Sequence, residues 1–143
     1  MVWAGGILKS TFLLPLLVLV FFVVMIGTGQ GGGGADRNVG PEEAQALIRE
    51  NDGNRDFVVL DVRTPGEFAQ GHLESAVLVD FRYPGFREEM AGLEKTKTYL
   101  VYCRTGNRSA RALGIMRELG FRSTYHLEGG IKRWVEEGLP AVR

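Results

Sequence analysis

The chain has 143 residues, with 17 basic and 17 acidic side chains, 45% hydrophobic residues and a single cysteine, Cys103. That length leaves room for one domain, the balanced charge offers no electrostatic basis for nucleic-acid binding, and a lone cysteine excludes an internal disulfide.

The chain opens on a targeting signal. No charged residue stands between Lys9 and Asp36, and residues 12–26 are apolar at every position except Pro15. This run is shorter than the ~20 residues a helix needs to cross a bilayer core, but Gly27, Thr28 and Gly29 can extend it. Residues 1–29 are therefore expected to form a hydrophobic helix that is either a signal peptide or a retained signal anchor. The small residues behind it, Gly27-Thr28-Gly29 and Gly33-Gly34-Ala35, make poor Ala-x-Ala cleavage sites. Positive charge before the apolar run and none close behind it directs the rest of the chain out of the cytoplasm, to the periplasmic side, anchored or exported. The glycine-rich stretch 30–37 reads as a flexible linker, and 38–143 as the folded domain.

In the folded part Pro41, at a first-turn position before Glu42 and Glu43, starts a helix that buries Ala44, Leu47 and Ile48. Residues 57–60, Phe-Val-Val-Leu, form a continuous apolar run of the kind seen in strands covered on both faces. Thr64 and Pro65 supply an N-cap and first-turn proline for a short helix through Phe68 and Ala69. A second strand is expected over 76–79, a helix around Phe86 and Met90, and a third strand over 99–102. From Ser109, positions Ala112, Ile115, Met116 and Leu119 line one helical face, and Gly120 suits its C-terminal cap. A strand at 124–127, a Gly129-Gly130 turn and a helix over 131–137 with Trp134 inward complete the chain. Strands alternating with helices point to an α/β fold with a mainly parallel sheet.

Cys103 stands where the 99–102 strand gives way to Arg104-Thr105-Gly106-Asn107-Arg108 and the next helix. In such sheets ligands bind at the carboxyl ends of strands, where backbone N–H groups of a turn can converge on one centre. Gly106 permits a backbone conformation closed to other residues, and Arg104 and Arg108 add fixed positive charge. The result is an anion cradle around a sulfur nucleophile. With an ordinary thiol only about 3% is ionised at pH 7, so such a cradle matters for reactivity. Asp61 and Arg63 read as a structural ion pair. His72 and His126, the only histidines, lack the companions a metal site needs, so neither metal nor other cofactor is expected.

The segments Asp61-Val62-Arg63-Thr64-Pro65-Gly66-Glu67-Phe68, Gly71-His72-Leu73-Glu74-Ser75-Ala76, Tyr102-Cys103-Arg104-Thr105-Gly106-Asn107-Arg108-Ser109 and Leu127-Glu128-Gly129-Gly130-Ile131 with Trp134 resemble a single-domain rhodanese. The resemblance spans residues 39–142. It implies a five-stranded parallel sheet flanked by helices, with a weak first strand near 38–39 and the active loop after the fourth. It also implies a sulfurtransferase: Cys103 would take a sulfane sulfur from thiosulfate or a persulfide donor and pass it to cyanide, a thiol or a protein acceptor. The loop N–H groups of 104–108 would hold the outer sulfur, with Arg104 and Arg108 binding the anionic donor, and His72 would make a structural hydrogen bond. Two alternatives stay open. The domain could carry a persulfide to a partner protein without turning over small donors, or act as a small phosphatase or arsenate reductase. Phosphatases of related fold use a Cys-x5-Arg loop, whereas here four residues separate Cys103 from Arg108.

Overall fold

The computed structural model describes residues 36–143, so the expected hydrophobic helix at 1–29 and most of the glycine-rich linker lie outside the described residues. Within them run β1 (Arg37–Val39), α1 (Pro41–Glu50), β2 (Phe57–Asp61), α2 (Pro65–Gln70), β3 (Val77–Leu78), α3 (Phe86–Ala91), β4 (Thr98–Tyr102), α4 (Asn107–Glu118), β5 (Ser123–Leu127) and α5 (Gly130–Glu136). The five strands form one sheet in the order β1-β5-β4-β2-β3, every pair parallel. Among the described residues no helix is long and apolar enough to cross a membrane.

The two faces of the sheet are separated by the alternation of side chains along each strand. On one face Leu60, Tyr99 and Val101 pack with Phe86 and Met90 of α3 and with Ala112, Leu113 and Met116 of α4. On the other, Val39, Val59, Leu100, Tyr102 and Leu127 pack with Ala44 of α1 and with Ile131 and Trp134 of α5. Both faces of β2 and β4 are thus covered, which is why these strands read as unbroken apolar runs. Cys103 continues the alternation of β4 and joins the core on the α4 side.

Two boundaries and one helix face differ from the sequence reading. Residues 36 and 37, assigned by composition to the linker, belong to the fold. Arg37 pairs with Tyr125 in the sheet, and Asp36 accepts from Thr124 Oγ1 at 2.6 Å and pairs with Arg117. The strand expected over 76–79 shrinks to Val77–Leu78, because only those residues register against Leu60 and Asp61 at the sheet edge. The inward face of α4 is set by Ser109, Ala112, Leu113 and Met116. Ile115 and Leu119 flank that core half-buried, a rotation of the stripe that brings Ser109 under the Cys103 loop.

Candidate active site

The loop between β4 and α4 turns through Gly106, whose φ of 103° lies in a region that L side chains rarely adopt. That turn aims backbone N–H groups at Cys103. Gly106 N lies 3.1 Å from Cys103 Sγ and Ser109 Oγ 3.4 Å from it. Cys103 is 1% exposed, and burial pushes the thiol pKa up. The Ser109 hydroxyl and the N–H groups of Ser109, Gly106 and Thr105 more than offset this, so the thiol lies below its ordinary value.

The five loop residues expected at the site divide into three groups. The side chains of Arg104, Thr105 and Asn107 are exposed. Arg104 lines a cleft of about 580 Å³ beside the loop, together with Arg63, Glu67, Ile131, Lys132 and Val135. Gly106 is buried as backbone. Arg108 turns away from open solvent and donates from Nη2 to Glu67 Oε1 at 2.6 Å and from Nη1 to Glu67 Oε2 at 2.7 Å.

Glu67 also closes a capping box at the start of α2, accepting from Thr64 N at 3.1 Å while its own N–H donates to Thr64 Oγ1 at 3.3 Å. The ion pair ties the first turn of α4 to that of α2. The hydrogen bonds from Arg108, opposed by burial and assisted by those from Thr64, pull the Glu67 carboxyl from 4.5 down to about 2. A carboxyl depressed on folding stabilises the native state fully above its unfolded value, and that contribution disappears as pH falls from about 4.5 to about 2. Glu67→Gln is therefore expected to cost about 1 kcal/mol at pH 7, after allowing for solvent screening of a partly exposed pair. Urea unfolding of both proteins across that acid range should show the difference shrinking as pH falls.

Beneath the loop, Asp61 and Arg63 form the expected structural pair. Arg63 donates from Nε and Nη2 to the carboxylate at 2.7–3.0 Å, and from Nη2 to Gly71 O at 2.7 Å. The guanidinium lies 5.6 Å from the centre of the Tyr102 ring, whose hydroxyl accepts from Leu73 N at 3.1 Å. Burial, then Asp61, raises the Tyr102 pKa and keeps that hydroxyl protonated. His72 likewise has the structural role expected of it. Its ring stacks on Phe68 with centroids 3.8 Å apart, and Nδ1 lies 3.2 Å from Phe68 O.

The family model for the rhodanese-like domain matches residues 40–137. The chain belongs to the rhodanese-like domain family. A sulfurtransferase of Allochromatium vinosum is 31% identical over 100 residues, covering 70% of this chain and 92% of that protein. A probable adenylyltransferase/sulfurtransferase MoeZ of Mycobacterium tuberculosis is 36% identical over 89 residues, covering 62% of this chain. The present chain spans only 23% of the length of that second relative. The crystal structure of a rhodanese-related protein from Thermoplasma volcanium superposes with a TM-score of 0.60 at 36% identity, covering 74% of this chain and 97% of that one.

Three contacts around the rhodanese-like loop have no local signature in the sequence. Arg108 and Glu67 meet across 41 positions. The N–H groups of Ile131 and Lys132, at the start of α5, donate to Cys103 O at 2.9 Å and Arg104 O at 3.0 Å, which turns the loop carbonyls away from the sulfur. Ser109 Oγ lies 2.8 Å from His126 Nε2 on β5. The Gly129-Gly130 pair was the only available hint of the second contact, since two adjacent glycines before a helix often mark close backbone approach.

Proposed function

We propose that this rhodanese-like domain is a sulfurtransferase that moves a sulfane sulfur through a persulfide on Cys103. The observation that carries the reading is the convergence of the Gly106 N–H and the Ser109 hydroxyl on a buried sulfur whose pKa is lowered. The Cys103 thiolate attacks the outer sulfur of thiosulfate. A new S–S bond forms to Cys103, the donor's S–S bond breaks, and sulfite leaves with the electron pair. The terminal sulfur of the persulfide is held by loop N–H groups of residues 104–108. In the second half-reaction cyanide or a thiolate attacks that sulfur, the S–S bond to Cys103 breaks, and the thiolate is restored. No net oxidation occurs across the cycle, and the two steps give ping-pong kinetics.

Arg104, exposed beside the cleft, is the cation placed for the anionic donor. Arg108 serves by fixing the loop to α2, since both outer guanidinium nitrogens already donate to Glu67. That engagement also argues against phosphoryl transfer or arsenate reduction, where a loop arginine must be free to clamp a tetrahedral oxyanion. A second reading is delivery of the persulfide to a protein acceptor, with the same Cys103 adduct serving both.

Incubation of the protein with thiosulfate should add the mass of one sulfur atom to Cys103, and cyanide should release it as thiocyanate. Adduct formation with slow release to cyanide selects the carrier reading; no adduct with any sulfane donor sinks both. Residues 1–29 are read as directing the domain to the periplasmic side, which cell fractionation tests, and sequencing the N-terminus of the mature protein separates a cleaved signal peptide from a retained anchor.

A further inference from the structure

Behind Ser109 lie two polar side chains, His126 and Asn38, that the transfer steps leave without a role. The register of the sheet sets Val101, His126 and Asn38 side by side on β4, β5 and β1. Val101 belongs to the core on the α4 side, and His126 shares that face, which brings its Nε2 to 2.8 Å from Ser109 Oγ. Ser109 Oγ in turn lies 3.4 Å from Cys103 Sγ and 3.0 Å from Gly106 O. On the far side of the ring His126 Nδ1 lies 3.2 Å from Asn38 Oδ1.

Ser109 has one proton to donate and lone pairs to accept with, whereas a thiolate and a carbonyl only accept. If His126 Nε2 were bare, the serine proton would go to the imidazole and the sulfur would lose it. If Nε2 carries a proton, the imidazole donates to Ser109 Oγ and the serine proton stays available to the sulfur. Gly106 O, 3.0 Å from Ser109 Oγ and also accepting from Ala110 N at 3.0 Å, is an uncharged acceptor, so a negatively charged sulfur makes the stronger claim on that proton. Negative charge on the sulfur turns the hydroxyl dipole toward itself and its lone pairs toward Nε2, which selects the protonated form of that nitrogen. Asn38 accommodates this in either charge state of the ring. Its oxygen accepts from Nδ1–H of an imidazolium, and its amide group, rotated, donates to Nδ1 of the neutral Nε2–H tautomer.

We propose that His126 is a positioning residue that, by donating from Nε2 to Ser109 Oγ, holds the serine hydroxyl proton on the Cys103 thiolate. The inference rests on the reading of Cys103 as the reacting thiolate and names a group that sustains it. The Ser109 hydroxyl is foremost among the groups that lower the Cys103 pKa against burial, so a device that orients it acts where the leverage is greatest. The other charges around the sulfur come from Arg108 of α4, paired with Glu67 of α2, from Arg104 of the loop and from the Asp61–Arg63 pair at the end of β2. β1 faces the ring with uncharged Asn38. Substitution at His126 removes none of these charges.

The test is the pH dependence of iodoacetamide alkylation of the full-length protein, in which Cys103 is the sole cysteine and only the thiolate reacts. In His126→Phe the midpoint should rise by about one pH unit, so that well below it alkylation slows about tenfold. His126→Asn, whose amide is too short to reach Ser109, should behave like His126→Phe. His126→Gln, whose amide can donate from a similar position, should recover at least half of the shift. Ser109→Ala should raise the midpoint at least as far, and adding His126→Phe to it should change nothing more. A wild-type midpoint in both His126→Phe and His126→Asn, or an undiminished His126 effect in the Ser109→Ala background, overturns the proposal. Thermal unfolding of each variant separates these shifts from loss of fold. Because alkylation needs no sulfur donor, absence of a sulfane adduct would overturn the sulfurtransferase reading while leaving this titration to be judged by itself.

Discussion

Cys103→Ser is expected to lower thiocyanate formation from thiosulfate and cyanide by at least about 10⁴-fold, to the uncatalysed background, while the thermal midpoint falls by only about 4 °C. The reason lies in the element as much as in the geometry. A serine oxygen can take the sulfur's place between the Gly106 N–H and the Ser109 hydroxyl, so the loop keeps its donors and the core loses only a small difference in volume. Stability should fall by about 1 kcal/mol, the ordinary scale for a near-isosteric buried change. But the hydroxyl stays protonated at neutral pH, and oxygen does not form a persulfide. Intact mass after thiosulfate treatment should therefore increase by one sulfur in the wild type and not in the variant. Because the chain holds no second cysteine, turnover that survives the substitution would place the chemistry away from the β4–α4 loop and sink the proposed mechanism.

That loop is legible in the sequence because its determinants are consecutive. An apolar strand, a cysteine, a glycine at the turn and an amphipathic helix follow one another within residues 98–118, and the backbone joins them without reference to the rest of the chain. β2 and β4 are visible for a related reason, since burial on both faces forces every position to be apolar. β1 and β3 are not. One has three residues and the other two, and each pairs along a single edge, so their identity comes from their partners more than from their own composition. The groups that surround the sulfur beyond the loop are hidden in the same way. Glu67 reaches Arg108 because α2 and α4 both begin at the carboxyl ends of adjacent strands, and His126 reaches Ser109 because β5 lies beside β4 in parallel register. Parallel pairing always joins residues distant in sequence, so contacts across it leave no local spacing to read. His126 is the clearest instance: isolated in the sequence, it stands in the structure one hydroxyl away from the thiol.

Gly130→Ala is expected to be the most damaging substitution that leaves every polar side chain of the site in place. A Cβ on residue 130 would fall 2.4 Å from Cys103 O, 2.5 Å from Arg104 O and 2.6 Å from the Arg104 carbonyl carbon. These obstacles are backbone atoms, so no rotamer change relieves them. The φ of 61° at Gly130 adds about 1 kcal/mol for a left-handed alanine. Either α5 or the loop must retreat, and with it go the hydrogen bonds from Ile131 N to Cys103 O and from Lys132 N to Arg104 O, about 1 kcal/mol each. Together these effects amount to a loss of about 3 kcal/mol or more, readable by urea unfolding. The catalytic consequence is separable from it. If the loop carbonyls are no longer drawn back by α5, the N–H groups on the opposite side of the same peptides swing off the sulfur, and a displacement of about 1 Å there lowers kcat/KM on the order of a hundredfold. The Cys103 alkylation midpoint should rise in the same variant, because the donors that favour the thiolate have moved. Gly129→Ala provides the contrast: its Cβ would fall 2.6 Å from Arg133 Cβ and 2.7 Å from Arg133 Cδ, a clash with the first turn of α5 that side-chain rotation relieves only in part, so it strains the same left-handed turn without pressing on the loop carbonyls. Equal losses of activity in the two variants would mean that left-handed backbone at the turn, rather than the close approach of α5 to the loop, is what keeps the sulfur's donors in place.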